Sequence, residues 1–480
     1  FGSREWASSP LVGWALRAPV SSIAIFDFMA NVALRSGSRR DRCGPIALLL
    51  AAACLPGPAC STRYLRSQLR AGAGDERALS GYRQTLHNYQ NVQYFADFDI
   101  GGQKIAGIFD TGSFELLVRS SRCDKCVHPT PPYDHSKSSS YVENGTVAKH
   151  VFGSGPCISM MGYESVSVGP NLHAKEQAFW EIVDHRISVL DTAKFAAIVG
   201  IGPNFAFGNS EKTLLMSYGI DEFSVCLKKE SGSEGYLTWG KDASAAKRKP
   251  EDYATARVVG KHHWVTHLRN VTFAVNQTGG HLAQIPCGNG DGCAAIIDSG
   301  TSLIAAPGVA LMQLSEQIPP INENCSNLHE LPTLHFVIDG HDFELPPQAY
   351  VMRVTGATLE ADDIWDILFF KPKIRKLDMC MPAFMQIDMM SQFGPVWILG
   401  MPFFRYYHTT FDRKNKSMHF AMAGPDCEVQ PFRLNRTESL LAVDRAKERR
   451  PFDVDLGAMI SPTLSGMMDY PFGNAGELDL

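Results

Sequence analysis

No apolar run in this chain approaches the roughly 18 to 20 residues that a membrane-spanning helix requires. Charge of one sign is also missing: 45 Lys and Arg stand against 50 Asp and Glu, a net charge of −5. Without a basic excess there is no electrostatic footprint for a nucleic acid. Helical periodicity is scarce, and its clearest stretch runs from Val309 to Gln317 after Pro307. A second C-x-x-C to partner Cys123 and Cys126 is absent, which leaves a zinc or redox site at that pair weakly supported against a disulfide. What the 480 residues do have is 45% apolar content, ample for two domains with sizeable cores.

They also contain one short phrase twice. Ile108-Phe109-Asp110-Thr111-Gly112-Ser113 recurs in the second half as Ile296-Ile297-Asp298-Ser299-Gly300-Thr301. Burying a lone carboxylate at the end of an apolar strand is costly. Two such phrases point to two similar lobes that bring both carboxyls to one place. Carboxyls that share a site cannot both ionise easily, so one holds a proton while the other acts as a base. That is chemistry for activating a water. The repeat extends further, since Ala197-Ile198-Val199-Gly200 follows the first Asp and Trp397-Ile398-Leu399-Gly400 the second. A Gly there lets backbone pass close under each Asp loop, where a Cβ would block it.

The chain begins with Phe1, and residues 1–60 are expected to be a gene-model N-terminus that includes a signal peptide over 29–60. From Met29 a basic stretch leads into Ile46 to Ala53 and then the small-residue segment Pro56 to Ser61, the order of a secretory signal. A buried helix is the alternative reading. Of twelve Cys, nine lie downstream of this region. Cys123–Cys126, Cys287–Cys293 and Cys325–Cys380 are read as three local disulfides, which suits an oxidising compartment. Cys226 lies in a strand-like run and is expected to be a buried thiol, while Cys157 and Cys427 have no assignment. Six N-x-[ST] sequons, at Asn144, Asn270, Asn276, Asn324, Asn415 and Asn435, agree with a secreted glycoprotein.

From Gln93 onward short alternating segments are broken by Gly, Asn and Pro, which predicts a mostly-β protein. The expected organisation is a short pro-segment or linker over 61–87, an N-terminal lobe over 88–245, a C-terminal lobe over 246–427, and a disordered tail over 428–480.

With these motifs in their order, residues from roughly 90 to 427 resemble the pepsin-like aspartic proteases. The resemblance implies a bilobal fold, two pseudo-symmetric β-rich lobes with a central cleft and a flap hairpin. It implies an aspartic endopeptidase that acts without metal, cofactor or covalent intermediate. Asp110 and Asp298 match the catalytic pair, which hold one water between them. Thr111 and Ser299 match the hydroxyls that bond across to the opposite lobe, and Ser113 and Thr301 those that bond the outer carboxylate oxygens. Gly112 and Gly300 complete the two loops. Ile108, Ile296, Phe152, Gly153 and Ser154 match positions around the bound peptide, an extended polypeptide paired as an added strand. A monomer with no nucleic-acid partner and no stable membrane span is expected, in the secretory pathway, secreted or in an acidic vesicle.

The flap departs from the family. Phe152 stands where a Tyr is usual, and Leu117 where a Trp bonds that Tyr, so both ends of one hydrogen bond are missing together. The flap is therefore expected to be held by packing and substrate alone. Some apicomplexan members, certain plasmepsins among them, are similar there. Ala196-Ala197 in place of Asp-Gly, and Met401-Pro402 after Gly400, are smaller departures. Two other functions compete with the peptidase: a pepsin-fold binding or inhibitor protein with impaired catalysis, and an unrelated all-β adhesion module. The second leaves the repeated Asp phrase unexplained. His262, His263 and His267 are read as surface or subsite-wall residues rather than a metal site, since alternation along a strand spaces them poorly for chelation. Met381, Met385, Met389 and Met390 are read as flexible packing.

Overall fold

Segments rich in Val, Ile, Phe and Tyr and punctuated by Gly and Asn form strands, as their composition dictates. The computed structural model describes residues 81–432, other than 153, 206–211, 244–248, 275–281, 288–291 and 361–372, together with 452–455. Among the described residues the strands order into sheets of fourteen, nine and three. No described helix is long and apolar enough to cross a membrane. The expected helix is present as Gly308–Gln317.

Each half contains the same three-strand device. In the first, Gln103–Asp110 runs parallel to Ala197–Gly200 with Asp110 opposite Gly200, and Leu116–Arg119 lies antiparallel on the other side of that strand. In the second, Cys293–Ile297 runs parallel to Gly394–Leu399, and Ile304–Ala306 lies antiparallel beside it. Parallel strands packed on both faces need continuous apolar runs, and every residue of Ala197–Gly200 and of Cys293–Ile297 is buried. The two glycines do what their motif predicts. A Cβ on Gly200 would lie 2.4 Å from the Glu115 nitrogen, and one on Gly400 would lie 2.2 Å from the Leu303 oxygen.

Strands from both halves meet toward one end of the largest sheet, three from the first half followed by three from the second. Tyr82–Tyr89, Gly235–Trp239, Glu222–Leu227, Tyr407–Asp412, Ser417–Ala423 and Ala254–Arg257 are neighbours in that order. Behind them Phe223 stacks on Phe411 at 4.9 Å, and Trp264 meets Phe411 at 5.0 Å. This aromatic core forms the floor next to both Asp loops, since Phe109 meets Trp239, which meets Phe223, and the Ile297 amide donates to Trp264 O.

All three expected disulfides are present, and a fourth joins Cys226 to Cys427 across 201 residues. Cys226 is thus not the thiol expected of it; strand pairing in the central sheet brings it beside the end of the Ser417–Ala423 strand. Cys157 is buried and unbonded. The segment expected to be a tail also contains order. Val429–Gln430 pairs with Met422–Ala423, and Phe452–Asp455 pairs in parallel with Met352–Thr355. The signal-peptide region and most of the tail lie outside the described residues. Met381 and Met385 pack on one small core cluster and Met389 on another, while Met390 is half exposed.

The flap hairpin consists of the two long strands Val142–Phe152 and Gly155–Val168, with Phe152 opposite Gly155. Gly155 has φ +131°, and a Cβ there would sit 2.4 Å from the Arg186 carbonyl oxygen, so the turn requires glycine. Gly153 lies outside the described residues.

Candidate active site

Asp110 is the last residue of its strand, and Asp298 follows the last residue of its own. Both are buried, 9% and 7% exposed. The Asp298 amide donates to Leu399 O at 3.1 Å, and the Ile201 amide to Asp110 O at 2.8 Å, so each loop is tied to the strand beneath it.

The loops also lock each other. Thr111 Oγ1 donates to Ile297 O at 2.8 Å and accepts from the Ser299 amide at 2.9 Å. Ser299 Oγ donates to Phe109 O at 2.6 Å and accepts from the Thr111 amide at 3.1 Å. Each hydroxyl both donates and accepts, so neither is left unsatisfied where desolvation would penalise it. This reciprocal lattice fixes the separation of the carboxyls.

One backbone donor serves both acids. The Gly112 amide lies 2.8 Å from Asp110 Oδ1 and 3.1 Å from Asp298 Oδ1. The Gly300 amide adds a bond to Asp298 Oδ1 at 2.7 Å. The outer oxygens accept from hydroxyls, Ser113 Oγ to Asp110 Oδ2 at 2.5 Å and Thr301 Oγ1 to Asp298 Oδ2 at 2.5 Å. Burial, then the charge of Asp298 and a hydrogen bond between the two carboxyls, raise the pKa of Asp110 well above the ordinary carboxyl value; Ser113 and the Gly112 amide oppose this. Asp110 therefore keeps its proton where an exposed carboxyl would lose it. An acid and a base then stand side by side, which is what hydration of a carbonyl needs.

His263 reaches the same loop. Its Nδ1 lies 2.8 Å from Gly112 O. A carbonyl oxygen only accepts, so this nitrogen carries the proton. Burial holds the His263 pKa below the ordinary value, against the Gly112 bond. The residue had been expected only as a surface or wall histidine, and the buried Trp264 beside it was the available signal. His262 Nδ1 lies 3.1 Å from Asn204 Oδ1. The cluster of potential metal ligands among the described residues is elsewhere, at His335, Asp342 and Glu344, and it is largely exposed.

Ile108 and Ile296 are 7% and 6% exposed, so most of the apolar wall expected of them is taken up by packing behind the loops. Phe152 and Ser154 are half-buried at the hairpin end, and Phe152 packs against the main core. Leu117 is fully buried, as an apolar residue in that strand should be. The expectation that no side-chain bond holds the hairpin is overturned. His150 Nε2, two residues before Phe152, lies 3.1 Å from Glu115 Oε2, and Trp180 Nε1 donates to Glu115 Oε1 at 2.9 Å.

A bilobal β fold whose matching loops pair two buried carboxyls defines a pepsin-like aspartic protease. The model of the eukaryotic aspartyl protease family matches residues 93–423, and the chain belongs to that family. It is 31% identical to cathepsin D of Gallus gallus over 360 residues, covering 70% of this chain and 82% of that protein. Cathepsin E of Rattus norvegicus is 30% identical over 72% of this chain and 83% of its own length. Renin of the same species is 30% identical over 70% and 81%. The protein is a hydrolase, an aspartic-type endopeptidase acting on polypeptides.

Proposed function

We propose that Asp110 and Asp298 are the catalytic pair and activate one water between them. The ionised member takes the water's proton, while the protonated member donates to the scissile carbonyl. The product of that step is a tetrahedral diol that collapses to the two peptides, with no enzyme adduct. The observation that carries this reading is the single Gly112 amide shared by both inner oxygens. The raised pKa of Asp110 favours a pair that shares one proton.

The substrate lies extended between the lobes over 88–245 and 246–427, and Phe152 closes over its central apolar side chains. Because both acids come from one chain, the working unit is a monomer. Four disulfides, and a pair that must hold a proton to act, favour an acidic compartment of the secretory route. Incubation with a peptide pool at several pH values, with and without pepstatin, tests this. Cleavage with an acidic optimum, abolished by pepstatin, is expected; pepstatin-insensitive cleavage or an optimum above neutral pH would overturn the assignment.

A further inference from the structure

Three residues that no motif contains converge on the side of the hairpin that faces the first Asp loop. His150 belongs to the outgoing strand of the hairpin, and its side chain is 12% exposed. Its Nε2 lies 3.1 Å from Glu115 Oε2, and its Nδ1 lies 2.8 Å from the hydroxyl of Ser159, which is itself fully buried. Trp180 packs edge-on against the imidazole at 4.8 Å between ring centroids, and its indole nitrogen takes the other Glu115 oxygen. Both carboxylate oxygens and both imidazole nitrogens therefore have partners.

Glu115 is five residues beyond Asp110 and is not a mobile anchor. Its backbone oxygen accepts from the Gly200 amide at 2.9 Å, beneath Asp110 itself. Trp180 is equally fixed, opposite Leu117 in a parallel pair. The connection thus runs from the rigid floor of the site, through one carboxylate, to a point two residues from Phe152.

We propose that Glu115 and His150, supported by Trp180, are positioning residues that tether the flap to the Asp110 loop and set the place of Phe152 over the cleft. The tether replaces, by different residues at different positions, the side-chain bond that Phe152 and Leu117 cannot make. The groups that face the imidazole are the Glu115 carboxylate, the Ser159 hydroxyl, the Trp180 indole and, opposite in register, the Cys157 thiol. Burial pushes that thiol up to about 11, so it brings no competing charge. With a partner at each ring nitrogen, the imidazole is held in one orientation between the hairpin and Glu115.

The proposal rests on the reading of Asp110 and Asp298 as the catalytic pair and of this hairpin as the lid. Its test is a double-mutant cycle of His150→Ala and Glu115→Ala in the active full-length protein on an apolar peptide, with KM and kcat measured separately. Each single variant is expected to lose about tenfold in kcat/KM, chiefly through KM, because a displaced lid weakens its hold on bound peptide. The double variant should lose no more than about threefold beyond either single one, since both remove one bond. Glu115→Gln keeps an acceptor oxygen for the indole and can donate its amide N–H to a neutral His150 Nε2, and should recover most of the loss. Should an alanine variant fail to fold, His150→Leu with Glu115→Leu carries the cycle. Fully additive losses, or a KM unchanged in folded variants, would overturn the tether. Asp110→Asn, run alongside, separates the two readings: if it stays active, the catalytic assignment fails, whereas if it is inactive and KM ignores His150, only the tether fails.

Discussion

The two Asp loops are built alike and surrounded differently. Their hydroxyls, amides and carboxyls follow one pattern, and Gly200 and Gly400 press against the residue five beyond each Asp. In the first lobe that residue is Glu115, whose side chain leaves the floor and binds His150 and Trp180. In the second it is Leu303, which packs with Val92, Met352, Val354 and Ala383. The common frame holds what both carboxyls need, and the variable side chain serves what stands beside each loop. Among the described residues the first lobe's loop is joined to the flap hairpin through Glu115, a polar side chain, whereas the matching Leu303 packs into an apolar cluster.

The comparison breaks first at the acids themselves. If the loops are equivalent halves of one site, Asp110→Asn and Asp298→Asn should each abolish cleavage while circular dichroism stays native. The expected loss is at least the 10²–10⁴-fold typical of removing a general acid or base. Activity within about tenfold of wild type in either variant would show that the two carboxyls are not working as a pair.

Exchanging the differing side chains is the next sharpest test. Leu303→Glu puts a carboxyl into an apolar cluster at a site 7% exposed, with no partner to receive it. Burial of an unpaired ionisable group is expected to cost about 3–5 kcal/mol, read as a drop in denaturation midpoint. Glu115→Leu, by contrast, removes a side chain that is one-third exposed and should leave the midpoint within about 1–2 kcal/mol of wild type. Equal losses in the two variants would mean that the positions are interchangeable after all.

A pH experiment separates the acids by environment. The folded pKa of Asp110 is raised above its ordinary 3.8, so its contribution to stability is complete below that value and is lost as pH rises through the raised one. Asp110→Asn carries no such proton. Its melting temperature relative to wild type should therefore climb as pH rises from below 3.8 up through the raised value. Other carboxyls run the opposite way, Glu164 and Asp412 having lowered values, but they are common to both proteins and cancel in the difference. A flat difference across that range would show that Asp110 is not held protonated.

What the sequence disclosed and what it hid divide along the same line. Asp110 with Ser113, and Asp298 with Thr301, interact within four residues, so each loop could be recognised from a tetrapeptide. The disulfides at Cys123–Cys126 and Cys287–Cys293 close short loops and were legible for the same reason. Cys226–Cys427 was not, because only the pairing of Glu222–Leu227 with Tyr407–Asp412, and of that strand with Ser417–Ala423, brings its ends together. Glu115, His150 and Trp180 come from three strand contexts, and none of them is unusual alone. Their meeting depends on how Gly155–Val168 pairs with Leu172–His185, whose register shifts between Ile158 and Ser159. A periodicity of two in the sequence does not reveal such a shift.

The smallest expected effect concerns the flap tip. Phe152→Tyr restores the residue usual in the family, yet it should change kcat/KM by less than about threefold. A new phenol gains only if a partner is free to meet it, and the partners near this strand are engaged. Leu117 is buried and apolar. The Trp180 indole already donates to Glu115, and the His150 nitrogens are taken by Glu115 and Ser159. The hydroxyl would therefore stay with water or substrate, where it exchanges one hydrogen bond for another at little net gain. A tenfold improvement in Phe152→Tyr, measured on the same apolar peptide, would mean that a donor lies within reach and that the first lobe has kept more of the family's usual flap bond than its side chains indicate.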